Sequence, residues 1–302
     1  NMFKSTPNKI KRGTAGKVLQ NMMSSQDEGI RKAAITAMIK MGHSKSFMQN
    51  AMENMDNAQL MGFMTELSSV RGGETLARKM LVFTVITTLG LVYNSYLVTG
   101  SFDNSVNMFL IGIIGGLLGY FYTARPIRLV ARRGLGELAI FLTFGPLLTL
   151  GALFAISSNT VELFSPEFYK AIYIGIPFGF LTTNILYVNQ FPDTNSDAKT
   201  GKNHLIVTFG KKNARWGYLL ILIAAFASSF ALIQTISNDL SFFNEYFFIA
   251  GNVILFVYGL SAFFNLFKNY DKRELVHSNL KTIYLQIFYG LFIVLALNLF
   301  FV

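Results

Sequence analysis

Apolar runs recur through most of this chain, at about 80–99, 106–124, 136–156, 170–188, 217–236, 245–267 and 283–302. Each is close to the ~20 residues that a helix needs to cross the hydrocarbon of a bilayer. In that solvent every backbone N–H and C=O must find its partner inside the protein, so runs of this kind fold as helices. The pattern predicts an all-α membrane protein built on a bundle of about seven transmembrane helices. Composition agrees, because only 14% of the residues are charged and 52% are hydrophobic, whereas a soluble domain carries roughly 25% charge. The absence of cysteine excludes disulfide frameworks, thiolate metal sites and cysteine nucleophiles.

Residues 1–78 read differently. They are polar and Met-rich, and in "EGIRKAAITAMIKMG" (28–42) and "SFMQNAMENMDNAQLMGFMTELSS" (46–69) the apolar residues are spaced for amphipathic helices. We expect a non-spanning helical segment over 1–78, resting on the membrane surface or a partner, ahead of a transmembrane domain over 79–302. The segment shows no apolar stretch of signal-peptide type, and the opening Asn1 points to a processed or excerpted protein.

Positive charge falls in alternate connections. Arg125, Arg128, Arg132 and Arg133 follow the second run; Lys199, Lys202, Lys211, Lys212 and Arg215 follow the fourth; Lys268, Lys272, Arg273 and Lys281 follow the sixth. The other connections hold Asp103, Glu162, Glu167, Asp239 and Glu245, with Lys170 as their basic residue. By the positive-inside rule the basic connections face the cytoplasm, as expected for a multi-pass protein of the cytoplasmic membrane. The net charge of +10 is then a topology signal, and no nucleic-acid partner is expected.

One basic connection also carries acids. In "NQFPDTNSDAKTGKNHL" (189–205) Asn189, Asp193 and Asp197 stand four apart. If the preceding helix continues through them, each step rotates ~40° and climbs ~6 Å, which makes one polar ridge at the mouth of the bundle. Two carboxylates a turn apart repel, and a divalent cation relieves that; Mg²⁺ in particular takes one or two carboxylates plus waters and phosphate oxygens. The same residues also suit a solvated loop whose acids face Lys199 and Lys202, and Pro192 argues for a kink. The histidines at 43, 204 and 277 are scattered without ligand spacing. The glycines of "IGIIGGLLGY" (111–120) are suited to close helix contact.

The longer stretch "NQFPDTNSDAKTGKNHLIVTFGKKNA" resembles the second aspartate-rich motif of the UbiA superfamily of intramembrane prenyltransferases. Upstream, "YFYTARPIRLVARRGLGELAIFLTFGPLL" (120–148) resembles that family's Tyr-Thr-x-x-Pro turn, with its basic residues and Gly-Leu-Gly-Glu opening. The two motifs stand in the family's order, and the resemblance covers about 72–302. Within the superfamily they are most similar to the 1,4-dihydroxy-2-naphthoate polyprenyltransferases of menaquinone biosynthesis.

The resemblance implies Mg²⁺-dependent transfer of a polyprenyl group from its diphosphate to an aromatic acceptor such as 1,4-dihydroxy-2-naphthoate, within membrane lipid. Asp193 and Asp197, with Asn189, would hold the metal. Lys202, Arg125, Arg128 and Arg132 would meet the diphosphate, and Tyr122 would steady a developing cation. The residues alone leave these arginines equally suited to lipid headgroups, and Tyr122 to the interfacial aromatic belt. Family members carry nine spans and a first aspartate-rich motif, so the seven runs correspond to the third to ninth, and 1–78 hold neither a span pair nor that motif. The chain is accordingly expected to be an excerpt, to complete its site differently, or to be an inactive or non-enzymatic protein on the same scaffold. A transporter is the remaining alternative.

Overall fold

The computed structural model describes residues 82–236 and 242–300, with a few isolated positions before them. The expected amphipathic helices of 28–42 and 46–69 fall almost wholly outside the described residues. The chain divides into two compact units, Asn1–Leu89 and Gly90–Val302.

The described elements are helical. In order they are α1 (Val82–Thr99), α2 (Asp103–Thr123), α3 (Leu135–Phe144), α4 (Pro146–Ile156), α5 (Pro166–Lys199), α6 (Leu205–Phe209), α7 (Lys211–Ile236), α8 (Phe242–Asn269) and α9 (Val276–Phe300). Single 3₁₀ turns at Leu129–Ala131 and Arg273–Leu275 lead into α3 and α9. Among the described residues, seven stretches are long and apolar enough to cross a membrane, with α3 and α4 acting as one. The seven-helix expectation therefore holds.

The third apolar run differs from its expected form: it is two helices that meet at Gly145. Pro146 opens α4, where its missing N–H is one that a helix start leaves unused. The break lets backbone lie on backbone. A Cβ at Gly145 would stand 2.7 Å from the Gly175 carbonyl oxygen, and one at Gly179 would stand 2.6 Å from that of Phe141. Close helix contact thus falls on the glycines of the α3–α4 break and of α5. The glycines of α2, which the sequence pattern favours for this role, have open space around them: Gly112, Gly115, Gly116 and Gly119 meet nothing within 4 Å.

Helix α5 is the axis of the unit from Gly90 onward. The Ser165 hydroxyl accepts from the Phe168 N–H at its start, and Pro166 occupies its first position. It packs against α3 and α4 on one side and α7 and α9 on the other, while α8 closes against α7 and α9. The main core lies among α5, α7, α8 and α9, around Leu181, Tyr187, Phe191, Tyr218, Phe226 and Tyr289. Some polar groups inside it are paired with one another. The Tyr289 hydroxyl donates to Ser229 Oγ at 2.8 Å, and Ser229 Oγ donates to Asn252 Oδ1 at 2.6 Å. A second cluster of Leu150, Phe154 and Phe168 joins α4 to α5, and nearby Asn104 of α2 holds the Asn159 carbonyl and the Val161 N–H.

Candidate functional site

Helix α5 does not stop at the edge of its apolar stretch. It runs on for 34 residues through Pro177 and Pro192 to Lys199, so Asn189, Asp193 and Asp197 occupy successive turns of one continuous helix. The proline costs a single backbone bond without ending the helix. Termination comes from Gly201 at φ +72°. The Lys202 N–H returns to the Asp197 carbonyl at 3.0 Å and the Gly201 N–H to that of Ala198 at 3.2 Å. This is the Schellman pattern, which needs the left-handed residue that glycine supplies without strain. The turn carries Lys202 back over the helix end, where its Nζ lies 2.6 Å from Asp197 Oδ1.

The three ridge residues differ in their surroundings. Asn189 and Asp193 are exposed and Asp197 is partly buried. Asn189 Oδ1 accepts from Asn279 Nδ2 of α9 at 2.6 Å. Asp193 offers a carboxylate that forms no ion pair among the described residues. Asp197 is held on both oxygens: Lys202 takes one, and His204 Nε2 lies 3.3 Å from the other. That approach is too poorly aligned for a hydrogen bond, and both ring nitrogens of the buried His204 lack an aligned partner. Contact through space therefore ties His204, which spacing along the chain sets aside, to the acid ridge.

The two motif-bearing connections are joined. Arg128, left-handed at φ 46°, donates from Nη1 to the Thr200 carbonyl at 3.4 Å, and the Asn203 N–H donates to the Ala131 carbonyl at 3.0 Å. Arg132 turns onto its own connection, with Nε donating to the Ile127 carbonyl at 2.6 Å. Arg125 and Arg133 remain exposed. Lys211 pairs with Asp271 at 2.7 Å, so the third basic connection meets the second. All three basic connections thus gather around the end of α5 that carries the acids. Tyr122, half-buried at the end of α2, lies close enough to Glu137 of α3 for charge to act between them.

As a cation site this arrangement is half-built. No group of three or more His, Asp or Glu side chains among the described residues converges as a metal cage. The donor set fits a hard divalent ion that takes one or two carboxylates and fills its remaining positions with water and phosphate. Asp193 is exposed and unpaired, whereas Asn189 Oδ1 is held by Asn279 and Asp197 by Lys202, so these two would exchange a partner for the ion.

Fold and site define a multi-pass membrane protein with an acid ridge set among basic connections at one end of its bundle. The chain belongs to the UbiA prenyltransferase family, whose model matches residues 73–282. Among curated proteins it is 28% identical over 184 residues to the UbiA prenyltransferase domain-containing protein 1 of Dictyostelium discoideum, covering 61% of this chain and 50% of that one. It is 29% identical over 118 residues to the 1,4-dihydroxy-2-naphthoate octaprenyltransferase of Escherichia coli, covering 37% of this chain and 35% of the relative. It is 36% identical over 96 residues to the 2-carboxy-1,4-naphthoquinone phytyltransferase of Synechocystis, covering 32% and 28%. The chain spans half or less of the length of these relatives. No solved structure matches it.

Proposed function

We propose that this protein transfers a polyprenyl group from a polyprenyl diphosphate to an aromatic acceptor of the 1,4-dihydroxy-2-naphthoate type, in quinone biosynthesis and with Mg²⁺. The observation that carries this reading is the continuity of α5 through Asp197. Two carboxylates and an amide stand on successive turns where three basic connections meet, and the names of the relatives supply the substrate class.

Departure of diphosphate leaves an allylic cation and concentrates negative charge at the leaving group, which preorganised positive groups must meet. Asp193, Asp197 and Asn189 would hold the Mg²⁺, which when bound supplies positive charge against the diphosphate. Lys202 and Arg125 would meet phosphate oxygens directly, Lys202 after giving up Asp197. Arg128 would fix the Thr200 carbonyl and with it the turn that places Lys202, while Arg132 shapes the connection from which Arg125 projects. Tyr122, at the end of α2, would offer its aromatic ring to steady the developing cation. By the positive-inside rule the basic connections support a cytoplasmic position for this end of the bundle.

The test is incubation of membranes carrying the protein with radiolabelled polyprenyl diphosphate, Mg²⁺ and a panel of aromatic acceptors. The expected result is a labelled product that depends on both acceptor and metal. If Mg²⁺-dependent binding of the diphosphate is also absent, the reading falls and a non-enzymatic protein on the same scaffold takes its place.

A further inference from the structure

Away from the acid ridge, a buried carboxyl among the described residues stands without a partner. Glu137, in the first turn of α3, is only 5% exposed, and neither carboxylate oxygen has a hydrogen-bond partner. Of the arginines before it in sequence, Arg132 is directed to Ile127 and Pro126 and Arg128 to Thr200, while Arg133 is exposed and forms no ion pair with it. An unpaired acid inside a protein is costly, and within a membrane span such a group commonly marks a ligand path.

The surroundings of Glu137 are rich in acceptors and poor in free donors. The phenols of Tyr122 and Tyr187 both lie in its neighbourhood. The Tyr187 hydroxyl, however, donates to the Ala214 carbonyl at 2.8 Å. The Thr183 hydroxyl donates to the Gly179 carbonyl at 2.8 Å, and reaches only the backbone oxygen of Glu137. About one turn beyond Tyr187 on the same face of α5, buried Gln190 also has an unpartnered side-chain oxygen. What would complete this wall is an O–H group.

We propose that Glu137 is a substrate-binding residue that accepts a hydrogen bond from a ring hydroxyl of the aromatic acceptor, selecting hydroxylated over alkoxylated rings. The inference rests on the prenyltransferase reading and names the contact by which the acceptor would be recognised. It also has a chemical use. A carboxylate bonded to the ring hydroxyl pushes electron density into the ring and opposes the positive charge that ring attack on an allylic cation develops there. As diphosphate leaves, a ring carbon bonds to the allylic cation and then gives up its own proton to the diphosphate, or CO₂ where it carries a carboxylate, to restore the aromatic ring; no bond to the hydroxyl oxygen is broken. Both carboxylate oxygens are enclosed by their neighbours, so a ring hydroxyl would reach Glu137 as the side chains around it part.

The probes are 1,4-naphthalenediol, kept reduced, and 1,4-dimethoxynaphthalene, which has the same ring without O–H donors. Binding of each is measured to the full chain in nanodiscs, beside Mg²⁺-dependent binding of geranylgeranyl diphosphate. The wild type should prefer the diol roughly ten- to a hundredfold, as expected for a hydrogen bond to a charged group. Glu137→Gln and Glu137→Leu should lose most of that preference while retaining diphosphate binding, and neither should melt below the wild type, since each removes an unpaired buried acid. Intact diphosphate binding with an unchanged diol preference in both variants would overturn this inference alone. Absence of diphosphate binding in the wild type would overturn the prenyltransferase reading and this inference with it. Failure of both variants to fold would assign Glu137 a structural role and overturn it too.

Discussion

Helices α2 and α5 are similarly apolar, yet half of the most apolar stretch of α5 is buried inside the protein and none of that of α2. Helix α2 turns Phe109, Ile113 and Leu117 outward, with open space around its glycines. Helix α5 is gripped on two sides, has glycines pressed against backbone, and buries Thr183, Asn184, Gln190 and Thr194. Hydropathy reports that a segment can reside in lipid. It does not report which segments have protein neighbours, and in this molecule the gripped helix is the one that carries the candidate site.

The comparison is tested most strongly at the acids. Asp193→Ala or Asp197→Ala should cost about 10²–10³ in turnover, the effect of losing one electrostatic contact to a leaving group, and Asp→Asn nearly as much, because shape is kept and charge is lost. Asp103→Ala at the start of α2 should leave turnover unchanged. Equal losses from all of these in a radiolabel transfer assay would erase the functional contrast between the helices.

Glycine substitutions come next. Gly179→Ala forces a methyl against the Phe141 carbonyl and should destabilise by about 1–3 kcal/mol, whereas Gly116→Ala should stay within about 0.5 kcal/mol. Thermal unfolding in detergent measures both, and similar melting shifts would mean that α2 is packed as closely as α5.

Asn104→Ala probes the place where α2 does have a built anchor. It strips partners from the Asn159 carbonyl and the Val161 N–H and should cost about 1–3 kcal/mol. A negligible shift would leave α2 still less held than the contrast implies.

The smallest effect is expected at Lys202→Ala. A partly exposed ion pair contributes ~0–1 kcal/mol, so melting should barely change while affinity for a prenyl diphosphate falls. A large loss of stability with unaltered affinity would make Lys202 a structural clamp of the helix end.

Much of this fold is legible along the chain, because a bilayer forces a simple rule on backbone hydrogen bonding and ~20-residue apolar runs obey it. The Gly145–Pro146 break and the Gly201 turn rest on local chemistry, yet along the chain 136–156 reads as one unbroken span and 189–205 as a ridge or a solvated loop. Partner identity was not legible. Nothing in the spacing of 112–119 distinguishes a glycine face open to its surroundings from one pressed on another helix. Asn189, Asp193 and Asp197 could be read as a ridge because they lie on one helix. His204 could not be joined to them, since its proximity depends on how the chain reverses at Gly201 and settles against Ala131. Glu137 was visible only as part of a motif, and its lack of a partner emerges from three helices at once.

The length of α5 has a consequence of its own. Thirty-four residues make a helix about 51 Å long, and the hydrocarbon layer is only ~30 Å thick. With its apolar part in that layer, the end bearing Asn189 to Lys199 stands at the depth of the lipid headgroups. A ligand with a charged head and an isoprenoid tail settles in a leaflet with its head at that same level. On the prenyltransferase reading such a molecule would reach the site by sliding sideways, a search in two dimensions among lipids whose own phosphates compete for the same cations, so that anionic-lipid content would act on occupancy alongside ligand concentration.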